Sequence, residues 1–240
     1  MKRILTATFL SSFALTLCLA DAKEDVKAAA KKLSDAPNYS WTAVTEIEGG
    51  QFTPAPISGK AEKGGFAVLT QERDGNTTTA VLKGDKGVLK TEDGWQTAEE
   101  LRAAASGGGG GGGGGRMRGQ LLRSRIPGDE AGKLADKVKE LKASDGVVSG
   151  DLTEEGAKEL AAIGRGGRPG GQAPEPKNAK GSVKYWLKEG QISKVQVKIS
   201  STVNIQGEDR DMTRTTTYEL KAVGTTKVEV PEEAKKKIGA

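Results

Sequence analysis

From Val195 to Ile205 the side chains alternate. Val195, Val197, Ile199, Ser201, Val203 and Ile205 share one parity, and Gln196, Lys198, Ser200, Thr202 and Asn204 share the other. A period of two predicts a strand with one buried and one wet face. The same pattern recurs at Tyr39–Ile47, where Tyr39, Trp41, Ala43, Thr45 and Ile47 face one way. Shorter strands are predicted at Ile57–Glu62, Phe66–Arg73, Thr77–Lys83 and Gly87–Thr91, separated by turns such as Asp74-Gly75. Such spacing is that of an antiparallel meander. A second meander is predicted from Val147–Leu152, Gly181–Lys188, Gln191–Ile205, Met212–Val223 and a last short strand at Lys227–Val230.

Helical periodicity fills the intervals. Lys23–Asp35 places Val26, Ala29, Ala30 and Leu33 on one face. Thr97–Ala105 opens with a capping box, Thr97 and Glu100. Asp129–Ala143 carries the stripe Leu134, Val138 and Leu141, Thr153–Ile163 starts at a Thr N-cap, and Pro231 starts a terminal helix with acids first and lysines last. The order is thus meander, helical insert, meander. One continuous antiparallel sheet of about ten strands would curl under its own twist. The central helices would then cover its concave apolar face. Two separate domains joined by the glycine run are the other arrangement the pattern allows.

Two segments interrupt this order. Gly107–Gly115 is nine consecutive glycines, and Gly164–Ala179 is rich in Gly and Pro. Glycine loses the most backbone entropy on ordering. Residues 106–119 and 164–179 are therefore expected to be flexible surface loops of one domain spanning 23–240. Their arginines, Arg116, Arg118, Arg165 and Arg168, suit contact with an anionic envelope surface. Neither segment holds an aromatic residue, so the stacking half of nucleic-acid binding is missing, and no nucleic-acid partner is expected.

The N-terminus resembles an export signal. Lys2 and Arg3 precede the apolar run Ile4–Leu19, and Ala20-Asp21-Ala22 has the small-x-small form of a cleavage site. Cleavage of 1–22 would place the chain in a bacterial periplasm or outside the cell. The competing signal is lipidation at Cys18, which the bulky Leu17 before it disfavours.

Composition mostly excludes. The 240 residues include no histidine and one cysteine, Cys18, inside the leader. Imidazole catalysis, His-ligated zinc, disulfides and thiolate chemistry are therefore absent from residues 23–240. Hydrophobic content is 35% and aromatic content 4%, so the core is built from aliphatic residues. The carboxylates Asp93, Glu99, Glu100, Glu154, Glu155, Asp209 and Asp211 sit in turns or first helical turns, where capping accounts for them. No catalytic residue, metal ligand or cofactor is assigned, and the chain reads as a non-enzymatic monomer. Trp186 falls on the parity of Lys184 and Lys188, which places it on the convex face, under a helix or at a contact surface.

The C-terminal block VKYWLKEGQISKVQVKIS, followed by a long strand pair and by YELKAVGTTKVEVPEEA, resembles the end of LolA-like bacterial lipoprotein-carrier domains. The N-terminal helix before the first strand at 23–48 resembles them more loosely. The resemblance implies a strongly curved antiparallel half-barrel, α+β in class, with helices over its open face and acyl chains or other lipids bound between the two. On that reading a lipid or hydrophobic small molecule would be held by Trp41, Ala43, Val195, Val197, Ile199, Tyr218 and Leu220. The inward positions also include Thr45, Ser201 and Thr216. The family's strand arginine, which holds its lid, is assigned to no residue here. The alternative is a structural or interaction module of the cell envelope whose helices fill the concave face themselves.

Overall fold

The computed structural model describes residues 22–49, 53–106, 119, 121–162, 176–205 and 207–239. The segment 1–21 with Cys18, the nine glycines, and Arg116, Arg118, Arg165 and Arg168 lie outside the described residues.

Eleven strands form one antiparallel sheet. In chain order they are β1 (Asn38–Glu48), β2 (Ile57–Glu62), β3 (Ala67–Arg73), β4 (Asn76–Lys83), β5 (Lys86–Thr91), β6 (Gly94–Thr97), β7 (Lys142–Ser144), β8 (Val147–Asp151), β9 (Lys177–Lys188), β10 (Gln191–Ile205) and β11 (Glu208–Lys221). Their spatial order is β6-β5-β4-β3-β2-β1-β11-β10-β9-β8-β7. The two meanders therefore join where β1 pairs with β11, and β6 and β7 are the two free edges. The sheet is not closed into a barrel. It is the curved half-barrel, α+β in class, that the strand pattern and the resemblance predict.

This topology explains where the helices go. The chain leaves the sheet at one edge, β6, and re-enters at the opposite edge, β7. The intervening segment must cross the full width of the sheet, so it lies over a face. It carries α2 (Ala98–Ser106) and α3 (Pro127–Asp136). Before β1 comes α1 (Ala22–Asp35), and between β8 and β9 comes α4 (Glu154–Ala162). The concave face is covered by α1, α3 and α4. Val26, Ala29 and Ala30 of α1, Ala131, Leu134 and Ala135 of α3, and Ala157, Leu160 and Ala161 of α4 pack with Val183, Tyr185, Val195 and Ile199. Burying a Val or Leu side chain in this way contributes roughly 1.5–3 kcal/mol. Lys27 of α1 reaches Asp136 of α3 at 2.8 Å and holds its carboxyl below the usual range.

The convex face has its own cover. A fifth helix, α5 (Glu232–Ile238), sets Ala234 and Ile238 on Phe66, Val81, Val88 and Trp95. Their neighbours Ala80, Leu82 and Leu89 point into the concave side. Both faces of β4 and β5 are thus buried at Ala80, Val81 and Leu82 and at Val88 and Leu89.

Two tyrosines tie α3 to the sheet. Gly128 N–H donates to Tyr39 Oη at 2.9 Å, and Tyr185 Oη donates to the Ala131 carbonyl at 3.0 Å. Both bonds are buried, and burial pushes both phenols well above their ordinary pKa, so neither titrates near neutrality. The first bond satisfies one of the orphan donors at the helix start. Residue 128 has to be glycine, because a Cβ there would lie 2.5 Å from Tyr39 Oη.

Several boundaries differ from the sequence reading. The capping box of α2 forms, with Thr97 N–H on Glu100 Oε2 at 2.8 Å and Glu100 N–H on Thr97 Oγ1 at 3.2 Å. The helix expected over Asp129–Ala143 instead starts at Pro127 and stops at Asp136. Backbone pairing ends it: Lys139 N–H donates to Asp151 at 2.9 Å, Thr153 N–H donates to Lys137 at 2.7 Å, and Val138 bridges Leu152. Strand β6 was not anticipated, since four residues are too few to show alternation. Strand β9 starts at Lys177 rather than Gly181, and β11 starts at Glu208 rather than Met212. Lys227–Val230 is not a strand; no ladder partner reaches it, and Val230 packs instead against the cluster under α5. Trp186 is half-buried on the convex side, with Lys194 Nζ 3.9 Å from its ring centroid.

Removing either tyrosine hydroxyl leaves a buried helix group without its sheet partner. Tyr39→Phe and Tyr185→Phe are each expected to lower stability by about 1–3 kcal/mol in urea unfolding. Unchanged midpoints would show that the helix does not depend on these bonds.

Candidate functional site

Three neighbouring strands form the floor of the site. Their register places Ala43, Tyr218 and Val195 in one row, Thr45, Thr216 and Val197 in the next, and Ile47, Arg214 and Ile199 in a third. All nine side chains face a cavity of about 500 Å³. The roof is α3, through Pro127, Glu130, Ala131 and Leu134, and α4, through Leu160 and Ala162. Leu121, Arg123, Ser124 and Arg125 close one side, and Pro54, Ile57 and Gln71 another. The volume lies within the range of small-molecule pockets, and the lining is apolar with a few placed polar groups.

Trp41 forms one end of the wall. It is 2% exposed, and its indole lies on Gly59 of the adjoining strand, where a Cβ would fall 2.2 Å from the ring. The glycine therefore sets the position of the indole.

The polar groups are few. Thr45 Oγ1 and Thr216 Oγ1 hydrogen-bond to each other across the floor at 3.2 Å, which leaves little free polarity in that row. Arg214 Nη2 donates to the carbonyl of Leu160 on α4 at 2.7 Å. Arg125 is paired with Glu130, which Lys133 also meets at 3.1 Å. The phenol of Tyr218 is pushed up by burial, while Arg214 and Arg125 draw it the other way. Tyr218 nevertheless keeps accessible surface. The two facts agree if that surface opens into the cavity rather than to bulk solvent.

Of the seven residues expected to hold a ligand, Trp41, Ala43, Val195, Val197, Ile199 and Tyr218 line this one cavity. Leu220 does not line it; it stands opposite Trp41 in the register and packs in the core beside it. Ser201 is also outside the lining. Sequence reasoning missed Arg125, Glu130 and Arg214. Arg214 had a signal, since it shares the inward parity of Thr216 and Tyr218. Arg125 and Glu130 had none, because their place follows from how α3 is hung.

A larger cleft of about 830 Å³ lies outside, lined mainly by charged and polar residues including Lys27, Lys31, Lys86 and Asp129. It shares Arg123, Ser124, Arg125 and Glu130 with the inner cavity, so this segment is the wall between them. Among the described residues no group of three or more His, Cys, Asp or Glu could hold a metal ion, and no helix is long and apolar enough to cross a membrane.

No family model and no curated protein sequence matches the chain. Solved structures do match it. LprF from Mycobacterium bovis is 12% identical with a TM-score of 0.44, over 89% of this chain and 97% of that one. The Mycobacterium tuberculosis lipoprotein LppX is 10% identical with a TM-score of 0.43, over 88% and 98%. A LolA superfamily protein from Nitrosomonas europaea is 9% identical with a TM-score of 0.36, over 87% and 95%. In this chain a helix precedes the first strand, the antiparallel sheet is open, and helices cover its concave face.

Gly59→Ala should displace the Trp41 indole. The expected result is a loss of about 1–3 kcal/mol in stability together with a changed near-UV circular dichroism spectrum. An unaltered spectrum would show that the indole does not depend on the bare backbone beneath it. Arg214→Ala removes the bond from floor to roof, and amide exchange across Glu154–Ala162 should quicken while that of β10 stays slow.

Proposed function

We propose that this protein is a non-enzymatic binding protein of the bacterial envelope that holds a lipid or acyl chain between its sheet and its helices. One observation carries the reading: a predominantly apolar cavity of about 500 Å³ lies between the floor of β1, β10 and β11 and the roof of α3 and α4. An apolar space of this size inside a packed domain destabilises the empty protein, because its lining atoms lack contacts. A ligand with an alkyl chain would restore them. The alternative, an envelope interaction module whose helices fill the concave face, needs that space closed.

Export by the N-terminal leader would bring the protein to the periplasm or beyond. There Arg116, Arg118, Arg165 and Arg168 of the glycine-rich segments would meet anionic envelope surfaces. Neither role requires chemistry at a reacting atom. The roles of Trp41, Ala43, Val195, Val197, Ile199 and Tyr218 are those of a hydrophobic receptor, with Leu220 supporting Trp41 from behind.

Two measurements test this. Native mass spectrometry of the purified protein should reveal a co-purifying lipid, or binding of added palmitate. Val197→Trp, which places an indole in the cavity, should weaken binding of a fluorescent fatty acid by at least about tenfold, the loss of roughly two buried methylenes of contact. A lipid-free protein that binds neither palmitate nor the probe contradicts the proposal.

A further inference from the structure

The cavity lining is not electrically neutral. Three arginines, Arg123, Arg125 and Arg214, face it against one acid, Glu130. That acid is already engaged by both Arg125 and Lys133. A guanidinium beside a low-dielectric space is stabilised strongly by an anion placed there, since Coulomb attraction is weakly screened in such a space.

The tyrosines of the chain make the same point by contrast. Tyr39 and Tyr185 each spend the phenolic oxygen on the backbone of α3. Among the described residues Tyr218 Oη has no hydrogen-bond partner, although Tyr218 stands on the middle strand of the floor, in the row of Ala43 and Val195. The fields of Arg125 and Arg214 both reach it. A phenolic donor and two guanidinium groups therefore line the same cavity. A purely hydrocarbon ligand would leave the phenol without an acceptor. An anionic group would accept from it and lie against both cations, and such charge-assisted bonds are about twice as strong as neutral ones.

The position of these groups also sets a direction. Arg123 is exposed, and Arg123–Arg125 is the wall shared with the outer cleft. Arg123 and Arg125 thus stand on the solvent side of the cavity, and Arg214 stands in the row of Ile199, tied to α4.

Resting on the binding reading above, we propose that the ligand is an anionic amphiphile. Its carboxylate or phosphate head is received by Tyr218 Oη and the guanidinium groups of Arg125 and Arg214, and its alkyl chain lies against Val195, Val197, Ile199, Leu134 and Leu160. Arg123 guides the head at the wall.

The test compares ligands of one chain length and different heads. The neutral dye N-phenyl-1-naphthylamine reports cavity occupancy in the full chain. Palmitate, hexadecyl phosphate, 1-hexadecanol and hexadecylamine then compete with it below their aggregation limits. Palmitate and hexadecyl phosphate should displace the dye at about tenfold lower concentration than hexadecanol, and hexadecylamine should be weakest. Tyr218→Phe and Arg125→Gln should each bring the acid-to-alcohol ratio towards one, and circular dichroism checks that both variants are folded. Inorganic phosphate and acetate should displace nothing, which distinguishes an amphiphile head from a free anion. Equal displacement by palmitate and hexadecanol overturns the head-group assignment while leaving the binding reading intact. So does a preference that survives both substitutions, or displacement by inorganic phosphate at the concentration where hexadecyl phosphate acts. If neither the dye nor any amphiphile binds, the binding reading and this inference fall together.

Discussion

The roof of the cavity depends on two buried hydrogen bonds that hold α3 to the sheet, beside the aliphatic packing of Ala131, Leu134 and Ala135. Tyr39 and Tyr185 stand on strands β1 and β9, which flank β11 and β10, and each meets the helix backbone through its phenolic oxygen. A helix that packs by side chains alone can settle until its residues interdigitate with the sheet. A helix held by two rigid aromatic posts cannot. Its under-surface, Pro127, Ala131 and Leu134, remains above the rows of Ala43, Thr45 and Ile47. The glycine at 128 belongs to the same device, since a side chain there would push the post away. Arg214 adds a third tie, from β11 to the end of α4.

An open apolar space lowers stability, so the rest of the fold must be well packed around it. It is. On one flank α1 and α4 bury aliphatic side chains against β9 and β10, and on the other Leu33, Trp41, Leu69, Leu82 and Leu89 form a second cluster. Tyr218 touches both. Behind the sheet, α5 closes the convex side of β3 to β6. The inner cavity is thus left under α3 and α4, where the floor is made of small or β-branched residues apart from Tyr218 and Arg214. A ligand there would stabilise the protein in proportion to the logarithm of its concentration over its Kd.

Most of the sheet could be read from the sequence because one-sided burial writes a period of two. Val195–Ile205 and Tyr39–Ile47 are strands, and hairpins fall at Asp74-Gly75 and Glu189-Gly190, where both residues of each pair have positive φ. Periodicity failed where tertiary pairing overrode it. Leu134, Val138 and Leu141 form a helical stripe, yet Val138 is drawn into a bridge with Leu152 and Leu141 is buried beyond the helix end. Lys227–Val230 alternates without a neighbour to pair with. The site was legible as a floor and not as a cavity. Parity alone selects Trp41, Ala43, Val195, Val197, Ile199 and Tyr218, whereas the height of the roof depends on two hydrogen bonds between residues 89 and 54 positions apart. Leu220 shows the limit of parity: it faces the same side and is filled over by the core.

The central claim, that a ligand lies under α3 and α4 on the floor of three strands, is tested most directly by hydrogen-exchange mass spectrometry with and without palmitate. The account predicts slowed exchange on ligand addition in Pro127–Asp136 and Glu154–Ala162, and in the floor segments around Ala43, Val197 and Thr216, with little change in β3 to β6 or α5. Protection confined to the outer cleft around Lys27 and Lys86, or none under saturating palmitate, would contradict it.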